Sequence, residues 1–233
     1  MARTCVIIAQ LDPEDAFEDR VETVEADFGV VQIAQNRLKL AFRLENEDKD
    51  VNFEAIFKDA NFYLKAVLST LAWVTGIGAG YKIFDYVEFA DERLVLVGLV
   101  SPQQPQPKVE SGALSSTQEL LPLVTKDSHL RWALEDYHTA LRECGHELIF
   151  LYRCIEWLKV RFGSWEEAWG TIKSTQRRIK AIKRDANEYY FARHAVKGRH
   201  PVPRQVLEDA FKNTRLILQK YMEWLSSQPL NRT

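Results

Sequence analysis

The 233-residue chain reads as an α+β protein, with a mixed α/β N-terminal half followed by an all-α, up-and-down helical bundle. Three observations predict this. Apolar residues recur at every second position in the early segments and at every third or fourth in the later ones. A polar, proline-rich stretch, Ser101-Pro-Gln-Gln-Pro-Gln-Pro-Lys108, separates the two patterns. The charge also changes sign, with 11 basic against 19 acidic residues before Ala113 and 20 against 14 from there on. The expected organisation is a mixed α/β domain over residues 1–100, a linker over 101–113 and a helical domain over 114–233.

In chain order, Cys5–Ala9, Arg20–Ala26, Val30–Ala34 and Leu38–Leu44 have the short, alternating, β-branched character of strands. Residues 50–75 switch to helical spacing, with Phe53, Ile56, Phe57, Ala60, Leu64, Val67, Leu68 and Leu71 turned inward and Gly76 as C-terminal cap. Tyr81–Phe89 and Arg93–Val100 are expected to close the sheet as a hairpin around Asp91-Glu92. Past the linker, Leu130, Leu134, Tyr137 and Leu141 stripe one helix, and Leu148, Ile149, Tyr152, Ile155 and Leu158 stripe the next. Ser164 caps a short helix over Trp165–Ile172. A long helix is expected from Thr175 to about Val196, and Pro203 opens a last one striped by Leu207, Phe211, Thr214, Leu218, Tyr221 and Leu225. Four amphipathic helices on short connections predict an up-and-down bundle.

Bulk properties exclude several classes. A hydrophobic content of 46% supports a packed core rather than disorder. The most apolar run, Ala66–Ala79, is shorter than the ~18 residues that a membrane span needs, so no membrane association is expected. The N-terminus runs quickly into acidic residues without the apolar core of a secretory leader. Cys5, Cys144 and Cys154 have no paired spacing and read as reduced packing residues of a cytoplasmic protein. Gly76-Ile-Gly-Ala-Gly80 has the wrong spacing and context for a dinucleotide loop and reads as a turn. His146-Glu147 lacks the second histidine of a helical zinc site, and His129 and His138 lack cysteine companions, so neither a metal nor a cofactor is expected.

The constellation that survives is basic. Residues 171–200 hold nine Lys or Arg and only Asp185 and Glu188, the footprint of a polyanion site. Within it, Arg193 falls on the helical stripe of Ile182 and Ala186, where a charge needs a partner or a ligand. On the preceding long helix, Glu156 lies four residues after Tyr152 and seven after Ile149, near the apolar face. We expect Glu156 and Arg193 to meet, with His200 at the mouth of a loop beyond Gly198, turned back toward the arginine.

At Arg193, the polar His194 and His200, with six residues between arginine and second histidine, the sequence resembles the HEPN superfamily of helical-bundle proteins. Phe150-Leu-Tyr-Arg-Cys-Ile-Glu156 is similar to the acid-bearing helix of that group, and the resemblance covers about Leu130 to Leu225. It implies metal-independent endoribonuclease activity in a homodimer, often in toxins or antiviral defence. In that chemistry the RNA supplies its own 2′-hydroxyl nucleophile. His200 would move the proton, Arg193 would clamp the phosphate and Glu156 would hold the arginine. Lys180, Lys183, Arg184, His194, Lys197 and Arg199 would hold the RNA backbone, and Tyr189 or Tyr190 would stack on a base. The alternatives from other classes are a non-catalytic HEPN-like module that binds RNA, a nucleotide or a protein, and an assembly module in which the Arg193–Glu156 pair only sets helix packing. The acidic N-terminal half is the expected surface for a regulatory protein partner.

Overall fold

The computed structural model describes residues 3–12, 21–26, 28–34, 37–44, 53–88, 116–142, 146–173, 175–189 and 202–228. The architecture is α+β. Strands β1 (Arg3–Asp12), β2 (Val21–Ala26), β3 (Gly29–Ala34) and β4 (Arg37–Leu44) precede helix α1 (Phe53–Thr75) and strand β5 (Gly80–Glu88). The sheet order is β2-β3-β4-β1-β5, with every pair antiparallel.

Alternation gives the sheet one dry face. Val24, Val31, Leu40 and Ile7 are cross-strand partners in one row, and Ile33, Leu38, Ala9 and Ile83 in the next. All eight are buried, while Thr23, Glu25, Val30, Gln32, Arg37 and Lys39 on the opposite face are exposed. A one-residue slip would invert this arrangement, so the pattern fixes the register. Strand β5 carries a bulge: Ile8 pairs with Asp85 and Ala9 with Ile83, leaving Phe84 as the extra residue.

Helix α1 lies between the sheet and the helical half. Every residue from Ala66 to Val74 is buried, as expected of a helix that is apolar all round, because it meets β4 on one side and helices α2 (Thr117–Lys126) and α3 (Ser128–Arg142) on others. Gly76 ends α1 with φ 72°, its N–H donating to Ala72 O at 2.9 Å. In the same turn Gly78 runs against the end of α3, where an added Cβ would lie 2.8 Å from Arg142 Cγ and 2.9 Å from Leu141 Cβ. The glycine cluster is thus a turn, and it has a close-approach requirement of its own.

Helix α2 had no counterpart among the helices expected individually. Ser116 caps it, its Oγ accepting from Glu119 N at 3.2 Å, and Pro122 sits inside it. From α2 the Gln118 side chain reaches edge strand β2, accepting from Glu25 N at 3.0 Å and donating to Glu25 O at 2.9 Å. Asp127 then starts α3, its Oδ1 accepting from Leu130 N at 2.7 Å and also from Tyr221 Oη at 3.0 Å.

Helices α4 (Glu147–Phe162), α5 (Trp165–Thr171), α6 (Gln176–Tyr189) and α7 (Arg204–Ser227) complete the described chain. Helix α4 packs on α3, α6 and α7, and α6 packs on α7. Apolar side chains of the sheet, α1 and these helices form one continuous cluster. Ser164 caps α5 by accepting from Glu167 N at 3.1 Å. The expected strand Arg93–Val100, the linker 101–113 and the extension to Val196 of the helix begun at Thr175 lie outside the described residues. Among the described residues, no helix is long and apolar enough to cross a membrane.

Candidate nucleic-acid interface

Helix α6 separates apolar and cationic residues by angle. At ~100° per residue, Ile179, Ile182, Asp185 and Ala186 share one side, and all four are buried. Arg177, Lys180, Lys183 and Arg184 fall on the other side and are exposed. The result is a strip of four cations along one solvated face. Lys180 Nζ lies 5.5 Å from the ring centre of Trp169, which lends the ammonium an aromatic neighbour. Arg184 Nη2 lies 2.7 Å from Asp185 Oδ1, so part of its charge is balanced within its own helix. Tyr189, at the described end of α6, is half-buried and packs against the core.

Glu156 lies on the expected line of α4, at the margin of its buried stripe. Ile149, Tyr152 and Glu156 follow one half-buried line, beside the buried stripe of Leu148, Leu151, Cys154, Ile155 and Leu158. Glu156 lines an open groove of about 390 Å³ together with Arg153, Trp157, Lys159, Val160 and Gly163. Arg153 and Lys159, cations of the same helix, line this groove with it. Arg193, His194, Lys197, Arg199, His200 and Tyr190 lie outside the described residues, as does the expected meeting of Glu156 with Arg193.

Beneath the groove lies a polar cluster that sequence reasoning did not single out. Asp136 of α3 is 6% exposed. Trp157 Nε1 donates to its Oδ2 at 2.8 Å, and Arg153 Nη2 stands 3.1 Å from its Oδ1. Burial pushes this carboxyl up to about 6, against the opposing pull of Trp157 and Arg153. Trp132, 36% exposed, stands over Trp157 with ring centres 4.7 Å apart.

A second unanticipated cluster lies where α7, α1 and α3 converge. Arg215 is 7% exposed. Its Cζ sits 4.5 Å from the ring centre of Trp73, and its Nη1 donates to Tyr137 Oη at 3.2 Å. The signal was present in the sequence: Arg215 is four residues after Phe211, three before Leu218 and seven before Met222, all of them buried. His138, also buried, has Nε2 2.7 Å from Ala79 O and 3.2 Å from Ala79 N, and its tautomer decides whether it donates to the carbonyl or accepts from the amide. Burial lowers its pKa to about 4, so it is neutral at pH 7.

Among the described residues, no group of three or more His, Cys, Asp or Glu is disposed to hold a metal ion. The chain matches no family model, no curated protein and no solved structure.

Proposed function

We propose that the chain binds RNA along the outer face of α6 and cleaves it as a HEPN-like, metal-independent endoribonuclease acting as a homodimer. The observation that carries the binding step is the exposed strip Arg177, Lys180, Lys183 and Arg184, whose buried counterpart Ile179–Ile182–Ala186 leaves the cations nowhere to turn but outward. Such a strip tracks a phosphate backbone with little sequence preference and loses affinity steeply with salt. The packing of α4 on α3, α6 and α7 supports a HEPN-like bundle. In the cleavage step His200 moves the 2′-hydroxyl proton and Arg193 neutralises charge on the phosphate oxygens.

One observation favours a second reading, a binding module without cleavage. Glu156 lines an open groove with Arg153 and Lys159, an arrangement compatible with a surface that binds without Arg193. The two readings separate in one experiment on the full chain. Single-stranded RNA is titrated by fluorescence anisotropy across a salt series and then incubated with chelator present, comparing wild type with Arg193→Ala and His200→Ala. Binding together with cleavage that both substitutions abolish supports the nuclease. Binding alone supports the module, and no salt-dependent binding sinks both.

A further inference from the structure

The strongest unexplained feature outside α6 is the guanidinium of Arg215. It is more than nine-tenths buried, and among the described residues its hydrogen bond goes to a neutral phenol. Nη2 is fully buried and has no partner among the described residues, and the same holds for Nε1 of Trp73, the indole on which the guanidinium is stacked. Tyr137 spends an oxygen lone pair on Arg215 and retains its own O–H for donation; burial keeps that phenol protonated, its pKa raised to about 12. Three adjacent side chains thus offer donors, and among the described residues none supplies a carboxylate to them.

A buried cation is tolerated when a counter-charge and hydrogen bonds replace its hydration, and a guanidinium edge matches two oxygens of one anion. A buried indole N–H likewise calls for an acceptor. The place lies between helices, because α7 packs on α2, α3, α4 and α6 and its Arg215 meets Trp73 of α1. We propose that Arg215, Trp73 and Tyr137 form a receptor for a small oxyanion, bound between α7 and α1 by the outer edge of the guanidinium and the indole N–H. This receptor is separate from the α6 strip and does not depend on the RNA reading.

The test uses the full chain, dialysed into Tris chloride. Inorganic phosphate and acetate are titrated separately at constant ionic strength set with sodium chloride, while the thermal midpoint and the heat of binding are followed. A saturable rise of the midpoint is expected with at least one of them, because a ligand of the native state stabilises it in proportion to ln(1 + [L]/Kd). Phosphate alone marks a tetrahedral ligand, acetate alone a planar carboxylate. Trp73→Phe keeps the ring under the guanidinium and removes the N–H; it should weaken binding about tenfold, the loss of one hydrogen bond to a charged group. Arg215→Met should abolish the saturable rise. A combined Arg177→Gln, Lys180→Gln and Lys183→Gln variant should keep it, which separates the buried receptor from phosphate caught on α6. The proposal is overturned if neither anion gives a saturable rise, if Arg215→Met retains it, or if the α6 variant loses it. Should Arg215→Met fail to fold, Trp73→Phe decides, and wild-type affinity in that variant overturns the proposal.

Discussion

The cations of α6 and the guanidinium of Arg215 are similar groups in opposite surroundings. On α6, water solvates Arg177, Lys180 and Lys183, so each adds little to stability and leaves its charge available to an incoming polyanion. At Arg215 the surroundings are an indole face, a phenol and packed helices, where an uncompensated charge opposes folding. Both lie on regular amphipathic helices. Where each side chain ends up is decided by what packs against the helix, and for Arg215 that is Trp73, 142 positions earlier in the chain.

The sharpest challenge to this contrast is Trp73→Ala. It removes the platform under Arg215 and a ring in edge contact with Tyr137 at 5.4 Å, and a buried tryptophan truncated in this way costs about 3–5 kcal/mol. Denaturant unfolding reads this directly. A loss below about 1 kcal/mol would mean that the α1–α3–α7 junction is not the dry environment described.

Next in size is a pH effect. The folded pKa of His138 is lowered to about 4 from the usual 6.5, so between these values the unfolded chain binds a proton that the folded chain refuses. Stability therefore falls as pH drops from about 6.5 to 4, with a contribution on the order of 3 kcal/mol. His138→Gln should flatten that part of the stability profile. Asp136 has the opposite sign: its carboxyl is raised to about 6, so it disfavours the fold as pH rises from about 4 toward 6, and Asp136→Asn should remove that term. Equal profiles in wild type and both variants would contradict these burial assignments.

Gly78→Ala should cost about 1–3 kcal/mol, because the new methyl meets Leu141 Cβ and Arg142 Cγ inside ordinary contact distance. A thermal midpoint equal to wild type would show that the turn can back away from α3. The smallest stability effect is expected from the triple α6 variant, within about 0.5 kcal/mol. Its RNA affinity should nevertheless fall, and the slope of log affinity against log salt should shrink by about 1 for each lost phosphate contact. A large stability loss would place these cations in the same class as Arg215 and erase the contrast.

The sequence carried the periodic elements well, because alternation in β3 and β4 and the three-four spacing in α3, α4 and α7 are consequences of having one dry side. Helix α2 was legible but not read. Ser116-Thr-Gln-Glu119 is a capping-box pattern, and Pro122 three residues further on discourages the reading of a helix that Ser116 and the buried Leu120, Leu121 and Val124 nevertheless sustain. The same reasoning that singled out Arg193, a charge on an apolar stripe, applied equally to Arg215. Trp157 and Arg153 were not legible as partners of Asp136, because nothing local to α4 says which residue of α3 will face it. Glu156 illustrates the limit of spacing: its line through Tyr152 and Ile149 was right, but how deep that line lies depends on the neighbouring helices.

Gln118 has a consequence for the behaviour of many molecules together. By occupying both the amide and the carbonyl of Glu25, its side chain takes the place of a further strand on the rim of β2. Two chains meeting at high concentration are thereby denied a hydrogen-bonding template at that point. The block on strand addition at this point of the rim comes from one uncharged amide, contributed from the opposite half of the polypeptide.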